Sequence, residues 1–194
     1  MNFLEERILK EGRVYPGNIL KVDSFLNHQI DIELIDRIGE AFYEKYKDKG
    51  ITRILTIEAS GIAIACSAAR FFKVPILFAK KAKSLNLGND LYVSKVKSYT
   101  FGKEYDITLS KRYLNKGDRI LLVDDFLAIG NALHGLIDIC SQAGAEVEGI
   151  CICIEKGFQD GGKILRDEGY DVTSLAIVSE MTDDGKISFK DQTA

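Results

Sequence analysis

Apolar and polar positions along the chain follow two different periods. Five segments carry apolar residues every three to four positions, as helices with one buried face do: 3–12, 31–50, 61–72, 131–144 and 161–168. Five shorter segments are nearly continuous apolar runs, as buried strands are: 53–58, 75–79, 119–123, 147–154 and 172–177. Buried strands separated by helices form a parallel sheet that is covered on both faces. The pattern therefore predicts a doubly wound α/β domain.

Two segments follow neither period. Residues 19–29 mix apolar and polar side chains without a clear repeat, and we expect a loop there that lines a site. Residues 82–110 make an excursion between two predicted strands that is longer than ordinary connections, which favours a functional flap. Within the flap, 91–100 and 104–109 are predicted to form a hairpin. Because no linker or repeat interrupts the pattern, we expect one domain over 1–194.

Composition and charge narrow the class of protein. The 194 residues include 26 Lys and Arg against 29 Asp and Glu, a net charge of −3 that argues against a duplex-binding domain. No apolar run approaches the roughly 20 residues that cross a bilayer, and the N-terminus lacks a signal-peptide pattern. We therefore expect a cytoplasmic protein with no nucleic-acid or membrane partner. The cysteines show no zinc spacing and are all predicted to be buried, free thiols: Cys66, Cys140, Cys151 and Cys153.

The strongest candidate for chemistry is the segment 120–132. An apolar strand is followed by Asp124 and Asp125, a short loop with Gly130, and a helix from Asn131. The loop and the helix start offer backbone N–H groups and the positive end of a helix dipole, which together suit a phosphate. Adjacent carboxylates repel phosphate, so we expect them to bind sugar hydroxyls or a cation. The alternative is that the two acids are simply polar chain leaving the sheet.

This segment resembles the phosphoribosyl-pyrophosphate motif of the type I phosphoribosyltransferases. The residues 124–128 and 134–136 are most similar to the bacterial members that act on xanthine. Further stretches resemble that family in the same order along the chain: 21–31, 58–63, 78–84 and 154–158. The resemblance implies the type I phosphoribosyltransferase fold, a small N-terminal hood over 1–30 that binds the base, a mobile flap over 82–110, and a homodimer.

The resemblance also implies roles for individual residues. Asp124 and Asp125 are the catalytic pair, which binds the ribose hydroxyls. The residues implied to bind the 5′-phosphate of 5-phosphoribosyl 1-pyrophosphate (PRPP) are Ala128, Ile129, Gly130, Asn131 and Ala132. Those implied to bind the pyrophosphate are Ala59, Ser60, Gly61, Lys80 and Lys81. Those implied to bind xanthine are Leu20, Asn27 and Lys156, with Phe158 stacking on the ring or packing in the protein.

Some of these assignments have plain alternatives, and one departs from the family. Ser60-Gly61 could be an ordinary turn, and Lys80-Lys81 a solvated strand end. The family typically has a polar side chain at position 129, where Ile129 supplies no donor to the phosphate. Mg²⁺ is expected to arrive on PRPP, with no metal site in the protein itself.

The predicted reaction converts xanthine and PRPP to xanthosine 5′-monophosphate and pyrophosphate, a purine salvage step. One alternative is a regulator of the same fold that binds PRPP without catalysis. A second is an enzyme that prefers guanine or hypoxanthine. A nucleotide-binding oxidoreductase is disfavoured, because no Gly-x-Gly-x-x-Gly follows the first strand of the predicted sheet.

Overall fold

A computed structural model describes residues 1–82, 90–97 and 104–192. Its helices are α1 (Phe3–Glu11), α2 (Ile32–Tyr46), α3 (Gly61–Phe72), α4 (Asn131–Ala143) and α5 (Gly161–Asp167). Its strands are β1 (Arg13–Tyr15), β2 (Ile19–Lys21), β3 (Arg53–Ile57), β4 (Ile76–Ala82), β5 (Leu91–Lys97), β6 (Glu104–Ser110), β7 (Arg119–Leu127), β8 (Glu146–Lys156), β9 (Val172–Met181) and β10 (Ile187–Phe189). A π-helical turn covers Asp23–Asn27 and a 3₁₀ turn covers Lys47–Lys49. All five predicted helices are present.

The main sheet confirms the predicted doubly wound, mostly parallel architecture. In the described part of the chain its eight strands run in the order β10-β9-β8-β7-β3-β4-β6-β5. The five central strands, from β9 to β4, are parallel. The strands β10, β6 and β5 at the two edges are antiparallel to their neighbours. The small strands β1 and β2 form a separate antiparallel hairpin.

Two hydrophobic cores cover the two faces of this sheet. On β7, Leu121 and Val123 belong to the core that holds α1, α2 and α3, while Ile120 and Leu122 belong to the core that holds α4 and α5. This alternation follows from the strand geometry, in which successive side chains point to opposite faces. A strand buried on both faces has to be apolar at every position, which is why the sequence shows continuous apolar runs.

Several strands extend beyond their predicted ends. β4, β7 and β8 continue two to four residues further, because backbone pairing persists where side chains turn polar: Leu127 still pairs with Glu155. Asp124 and Asp125 therefore lie inside β7, not after it, and Lys156 is the last residue of β8. β10 and the β1–β2 hairpin were not predicted, since three-residue strands leave no periodic signal.

Two predictions about burial were wrong. The segment 19–29 is not simply a site-lining loop, since Val22, Phe25 and Leu26 are fully buried in the core beside α1 and α2. The π-helical turn folds these side chains inward in a way that no simple period predicts. Cys66 is exposed, although the other three cysteines are buried as expected, and all four are free thiols.

The predicted hairpin within the flap is confirmed for the residues that are described. β5 and β6 pair antiparallel from Leu91 with Ser110 to Lys97 with Glu104. The expected continuation of the first strand to residue 100, and the parts of the flap at 83–89 and 98–103, lie outside the described residues. Among the described helices, none combines the length and the apolar character needed to span a bilayer.

Candidate active site

The predicted site residues converge where the strand order of the sheet reverses. β3 and β7 are neighbours, and the chain leaves β3 toward α3 on one face but leaves β7 toward α4 on the other. In open α/β sheets, ligands bind outside the carboxyl ends of the strands at such a switch point. The β3–α3 loop and the acid pair of β7 both lie there.

The acid pair is buried and anchored. Asp124 and Asp125 are 6% and 8% exposed. The side-chain amide of Asn27 donates to Oδ2 of Asp125 at 3.0 Å, whereas Asp124 lines a cleft together with Tyr105. The backbone N–H of Asp125 donates to Oδ1 of Asp124 at 3.0 Å. One carboxylate therefore meets the N-terminal segment and the other meets the β5–β6 hairpin.

Burial sets the electrostatics of this pair. Burial, followed by the charge of Asp125, raises the pKa of Asp124 well above its usual range, and the cation of Lys81 works in the opposite direction. Burial and the charge of Asp124 also raise the pKa of Tyr105, so its hydroxyl stays protonated. A poorly solvated carboxyl of this kind favours a bound hydroxyl group or a developing positive charge.

The β3–α3 loop, residues 59–61, is packed so closely that it requires glycine at its end. A Cβ on Gly61 would lie 2.0 Å from Oγ1 of Thr56. That hydroxyl oxygen is buried and has no hydrogen-bond partner among the described residues. The Glu58–Ala59 peptide bond is cis. The loop leads directly into α3, whose first N–H groups have no partner within the helix and can face an anion, except that the N–H of Ile62 donates to the oxygen of Ala59 at 3.2 Å.

The two predicted lysines of β4 point to different places. Lys81 reaches the site: its ammonium lies 5.8 Å from the ring centroid of Tyr105, and its backbone N–H donates to Oε1 of Glu58 at 2.7 Å. Lys80 lines a separate, largely apolar groove of about 410 Å³ beside Phe78. Neighbouring residues of a strand face opposite ways, so one chain brings Lys81 to the acid pair but not Lys80.

The loop after β7 forms the wall of a cleft of about 210 Å³. All of the residues 128–132 line it. Gly130 has a φ of 90°, in the left-handed region that favours glycine, and α4 begins directly after it. The amide of Asn131 donates to the backbone oxygen of Lys97 at 2.8 Å and fixes the hairpin against the helix start. Ile129 contributes an apolar side chain, so at that position the loop can offer an anion only its backbone N–H.

Contacts from outside the loop hold it in place, and of the residues that make them the sequence indicated His134 but neither Gly161 nor Glu168. The N–H of Gly161 donates to the oxygen of Ala128 at 3.1 Å, and a Cβ on Gly161 would lie 2.4 Å from that oxygen. Nδ1 of His134 lies 3.0 Å from the oxygen of Gly130, and its Nε2 lies 3.0 Å from Oε2 of Glu168. No local pattern pairs these segments, because the contacts depend on how α5 packs against β7.

The predicted base-binding residues lie between the N-terminal segment and the end of β8. Lys156 is half-buried, which lowers its pKa, and its ammonium donates to the backbone oxygen of Asn18 at 2.9 Å. Asn18 lies in the turn of the β1–β2 hairpin, and Leu20 is buried in β2 of that hairpin. Asn27 donates to Asp125 of the acid pair. Phe158 is partly exposed after the strand. The structure thus brings the N-terminal segment to both Lys156 and Asp125.

The residue before Lys156 anchors the end of β8. Glu155 is 4% exposed and accepts two hydrogen bonds from the guanidinium of Arg166, at 2.9 and 2.7 Å, and one from the hydroxyl of Ser174 at 2.5 Å. Burial alone would raise the pKa of Glu155, but these hydrogen bonds lower it below its usual value. Because Glu155 is held in this way, the backbone of the adjacent Lys156 has a fixed position at the end of β8.

Within the described ranges, no group of three or more His, Cys, Asp or Glu side chains is arranged to hold a metal ion. The polar groups at the switch point are instead suited to an organic phosphate. They consist of two helix starts that offer N–H groups, one buried acid pair, and the cations Lys81 and Lys156.

Comparison with known proteins places the chain in a family. Residues 22–187 match the phosphoribosyl transferase domain, so the chain belongs to the phosphoribosyltransferase family. It is 60% identical over 192 residues to the xanthine phosphoribosyltransferase of Bifidobacterium adolescentis, covering 98% of this chain and 100% of that protein. It is 57% identical over 189 residues to the xanthine phosphoribosyltransferase of Ruminiclostridium cellulolyticum, covering 97% and 99%.

Solved structures confirm the type I fold at lower sequence identity. The adenine phosphoribosyltransferase of Thermoanaerobacter pseudethanolicus superposes with a TM-score of 0.72 at 22% identity, covering 89% of this chain and 98% of that one. The enzyme of Giardia lamblia, complexed with 9-deazaadenine, gives a TM-score of 0.74 at 20% identity. These likenesses concern the fold.

Proposed function

We propose that this protein transfers the phosphoribosyl group of PRPP to xanthine, producing xanthosine 5′-monophosphate and pyrophosphate. The observation that carries the proposal is one cleft in which a buried carboxylate, Asp124, faces a helix-start loop, 128–132. A ribose 5-phosphate needs both features at the same time. Names of relatives that match over nearly the whole chain support xanthine as the acceptor.

The geometry suggests which part of the sugar substrate each group of residues binds and how the reaction proceeds. The N–H groups of 128–132 bind the 5′-phosphate, and Asp124 and Asp125 bind the ribose hydroxyls. The C1–oxygen bond of PRPP breaks, and its electron pair leaves with pyrophosphate. The sugar becomes positively charged beside the two buried acids until the lone pair of purine N9 bonds to C1 and the N9 proton is released. The protein contributes positioning and charge stabilisation without a covalent intermediate.

The leaving group is held on the β3 side of the switch point. Backbone N–H groups of 59–61 at the start of α3 and the ammonium of Lys81 face this region. Mg²⁺ arrives on PRPP and neutralises the pyrophosphate. Within one chain, Lys81 is better placed than Lys80 to add positive charge, since Lys80 lines the other groove.

The base is held by the N-terminal segment and β8. The ammonium of Lys156 donates to an exocyclic carbonyl of xanthine, and Leu20 and Asn27 complete the site. We further propose a single domain over 1–194, in which 1–30 cover the base and the flap at 82–110 covers PRPP, acting as a homodimer in the cytoplasm. The contact of Lys156 with Asn18 supports the first of these assignments.

A steady-state assay tests the proposal. The protein is incubated with PRPP, Mg²⁺ and, in turn, xanthine, guanine or hypoxanthine, and nucleotide formation is followed by chromatography. We expect the highest kcat/KM with xanthine, and no product from the Asp124→Ala variant prepared in the same way. PRPP binding without any turnover would favour the regulator, and a higher kcat/KM with guanine or hypoxanthine would reassign the acceptor.

A further inference from the structure

The cleft at the 5′-phosphate loop contains few side-chain donors. Among its described lining residues, the side chains that can donate are those of Lys97, Tyr105 and Asn131. The amide of Asn131 gives one of its two N–H donors to the oxygen of Lys97 at 2.8 Å. Ile129 lies in the middle of the loop, and its side chain has no hydrogen-bond donor. An anion in this cleft therefore depends on the loop N–H groups, on the second N–H of the Asn131 amide and on the β5–β6 hairpin.

Of the two hairpin residues, Tyr105 is directed at the cleft. It is the cross-strand partner of Val96, and Val96 packs so tightly on α4 that a Cβ on Gly135 would lie 2.5 Å from it. Partners across an antiparallel pair share a face, so Tyr105 also faces the start of α4. Lys97 is the next residue along β5; its side chain therefore points to the opposite face and is exposed.

The hydroxyl of Tyr105 is a hydrogen-bond donor that is available to a ligand. It makes no hydrogen bond within the described part of the chain, although its ring contacts the ammonium of Lys81 at 5.8 Å. Partial burial and the nearby charge of Asp124 keep it protonated, because both raise its pKa. A protonated hydroxyl that lines the cleft can donate to a bound oxyanion, and a hydrogen bond to a charged oxygen is stronger than one to a neutral group.

We propose that the Tyr105 hydroxyl donates a hydrogen bond to the 5′-phosphate of the sugar substrate and thereby supplies the side-chain donor that Ile129 lacks. This inference rests on the proposed function, since it takes the loop 128–132 to be the 5′-phosphate site. On this proposal the β5–β6 hairpin is part of the phosphate site. The Tyr105 hydroxyl takes the place of the side-chain donor that the loop 128–132 lacks at Ile129.

Binding of ribose 5-phosphate tests this, because that probe carries the 5′-phosphate but no pyrophosphate. Titration calorimetry on the full chain should show about tenfold weaker binding for Tyr105→Phe, the loss expected when a hydrogen bond to a charged group is removed. Tyr92→Phe is the matched control. Tyr92 lies on the same hairpin with Lys111 at 5.6 Å from its ring, but its hydroxyl donates to the oxygen of Leu114. That variant should bind like the unmodified chain.

A second substitution tests the link to position 129. Ile129→Asn returns a donor to the loop, and we expect it to improve ribose 5-phosphate binding much more in the Tyr105→Phe background than alone. Unchanged binding in Tyr105→Phe would overturn the proposal, and so would equal gains from Ile129→Asn in both backgrounds. Since the readout is binding, a chain that binds the probe but does not use xanthine would contradict the proposed function and leave this inference standing.

Discussion

The side-chain amide of Asn27 donates a 3.0 Å hydrogen bond to Oδ2 of Asp125, across 98 positions of the sequence. Asn27 ends the π-helical turn whose apolar side chains are buried against α1 and α2, so the turn itself is firmly held. The contact fixes one carboxylate of the acid pair to the segment that we assign to the base. The two halves of the site are thereby joined through one amide.

Asn27→Ala should therefore affect both substrates. Without the amide, Asp125 loses its orienting partner and the base loses a neighbour, so we expect KM to rise about tenfold for both xanthine and PRPP. Steady-state kinetics with each substrate varied in turn measures this. Gln29→Ala, an exposed change two residues away, should leave both constants unaltered. An effect on xanthine alone would show that the amide does not position Asp125.

Asp124→Asn should make the protein more stable and far less active. The unfolded Asp124 carboxyl releases its proton at a pH of about 3.9. Because the pKa of Asp124 is raised in the folded state, the folded carboxyl keeps its proton to a higher pH. Above that pH, the buried charge costs folding free energy, and the cost grows until the pH passes the folded-state pKa. The amide removes the charge but keeps an oxygen for the N–H of Asp125.

For Asp124→Asn we expect the free energy of unfolding in urea to rise by about 1 kcal/mol at pH 7, with no gain near pH 3. Xanthine turnover should fall about a hundredfold or more, as happens when a group that stabilises transition-state charge is removed. A variant that is no more stable than the unmodified chain at pH 7 would mean that the carboxyl is not held against its charge.

Gly61→Ala should disturb the β3–α3 loop through a single clash. The new methyl group would lie 2.0 Å from Oγ1 of Thr56, so we expect a loss of about 1–3 kcal/mol in stability and a weaker grip on pyrophosphate. The double variant Gly61→Ala, Thr56→Ala removes that oxygen and should recover most of the lost stability in urea unfolding. Equal stability of the single and double variants would place the strain elsewhere.

The sequence predicts those parts of the structure whose signal is local. Helices and central strands follow from apolar periods, and the acid pair with its glycine loop is recognisable because all of its parts are consecutive. The carboxyl ends of β7 and β8 were missed, since backbone pairing continues where the side chains are polar. Cys66 was misassigned because an apolar neighbourhood in sequence does not determine which face of α3 is outward.

The remaining parts of the site depend on contacts between distant segments. The bonds from Asn27 to Asp125 and from Gly161 to Ala128 join elements whose register is set only by folding. The place of Tyr105 depends on its pairing with Val96 across the hairpin. Each of these residues looks ordinary in its own stretch of sequence, so residue type and spacing alone could not identify it.

Lys156→Met should damage use of the base while leaving the sugar site intact. The variant keeps the apolar stem but loses the ammonium, and we expect kcat/KM for xanthine to fall about 10- to 100-fold with little change in PRPP binding. The lowered pKa of this lysine adds a pH effect: xanthine use by the unmodified chain should decline at alkaline pH as the ammonium loses its proton. Lys163→Met, exposed on α5, is the control; an equal loss for both substrates would contradict base recognition.

Arg166→Met should loosen the end of β8 that carries Lys156. It strips the buried carboxylate of Glu155 of two hydrogen bonds, and because Arg166 is itself partly exposed we expect a loss of about 2 kcal/mol in urea unfolding at pH 7. The pKa of Glu155 is lowered in the folded protein, so the stability it provides is present above the unfolded pKa of about 4.3 and disappears as the pH falls through the folded value. The difference between the variant and the unmodified chain should therefore shrink in acid. Glu155→Gln with Arg166→Met removes the unpaired charge and should recover part of the loss, whereas a pH-independent difference would show that Arg166 acts by packing alone.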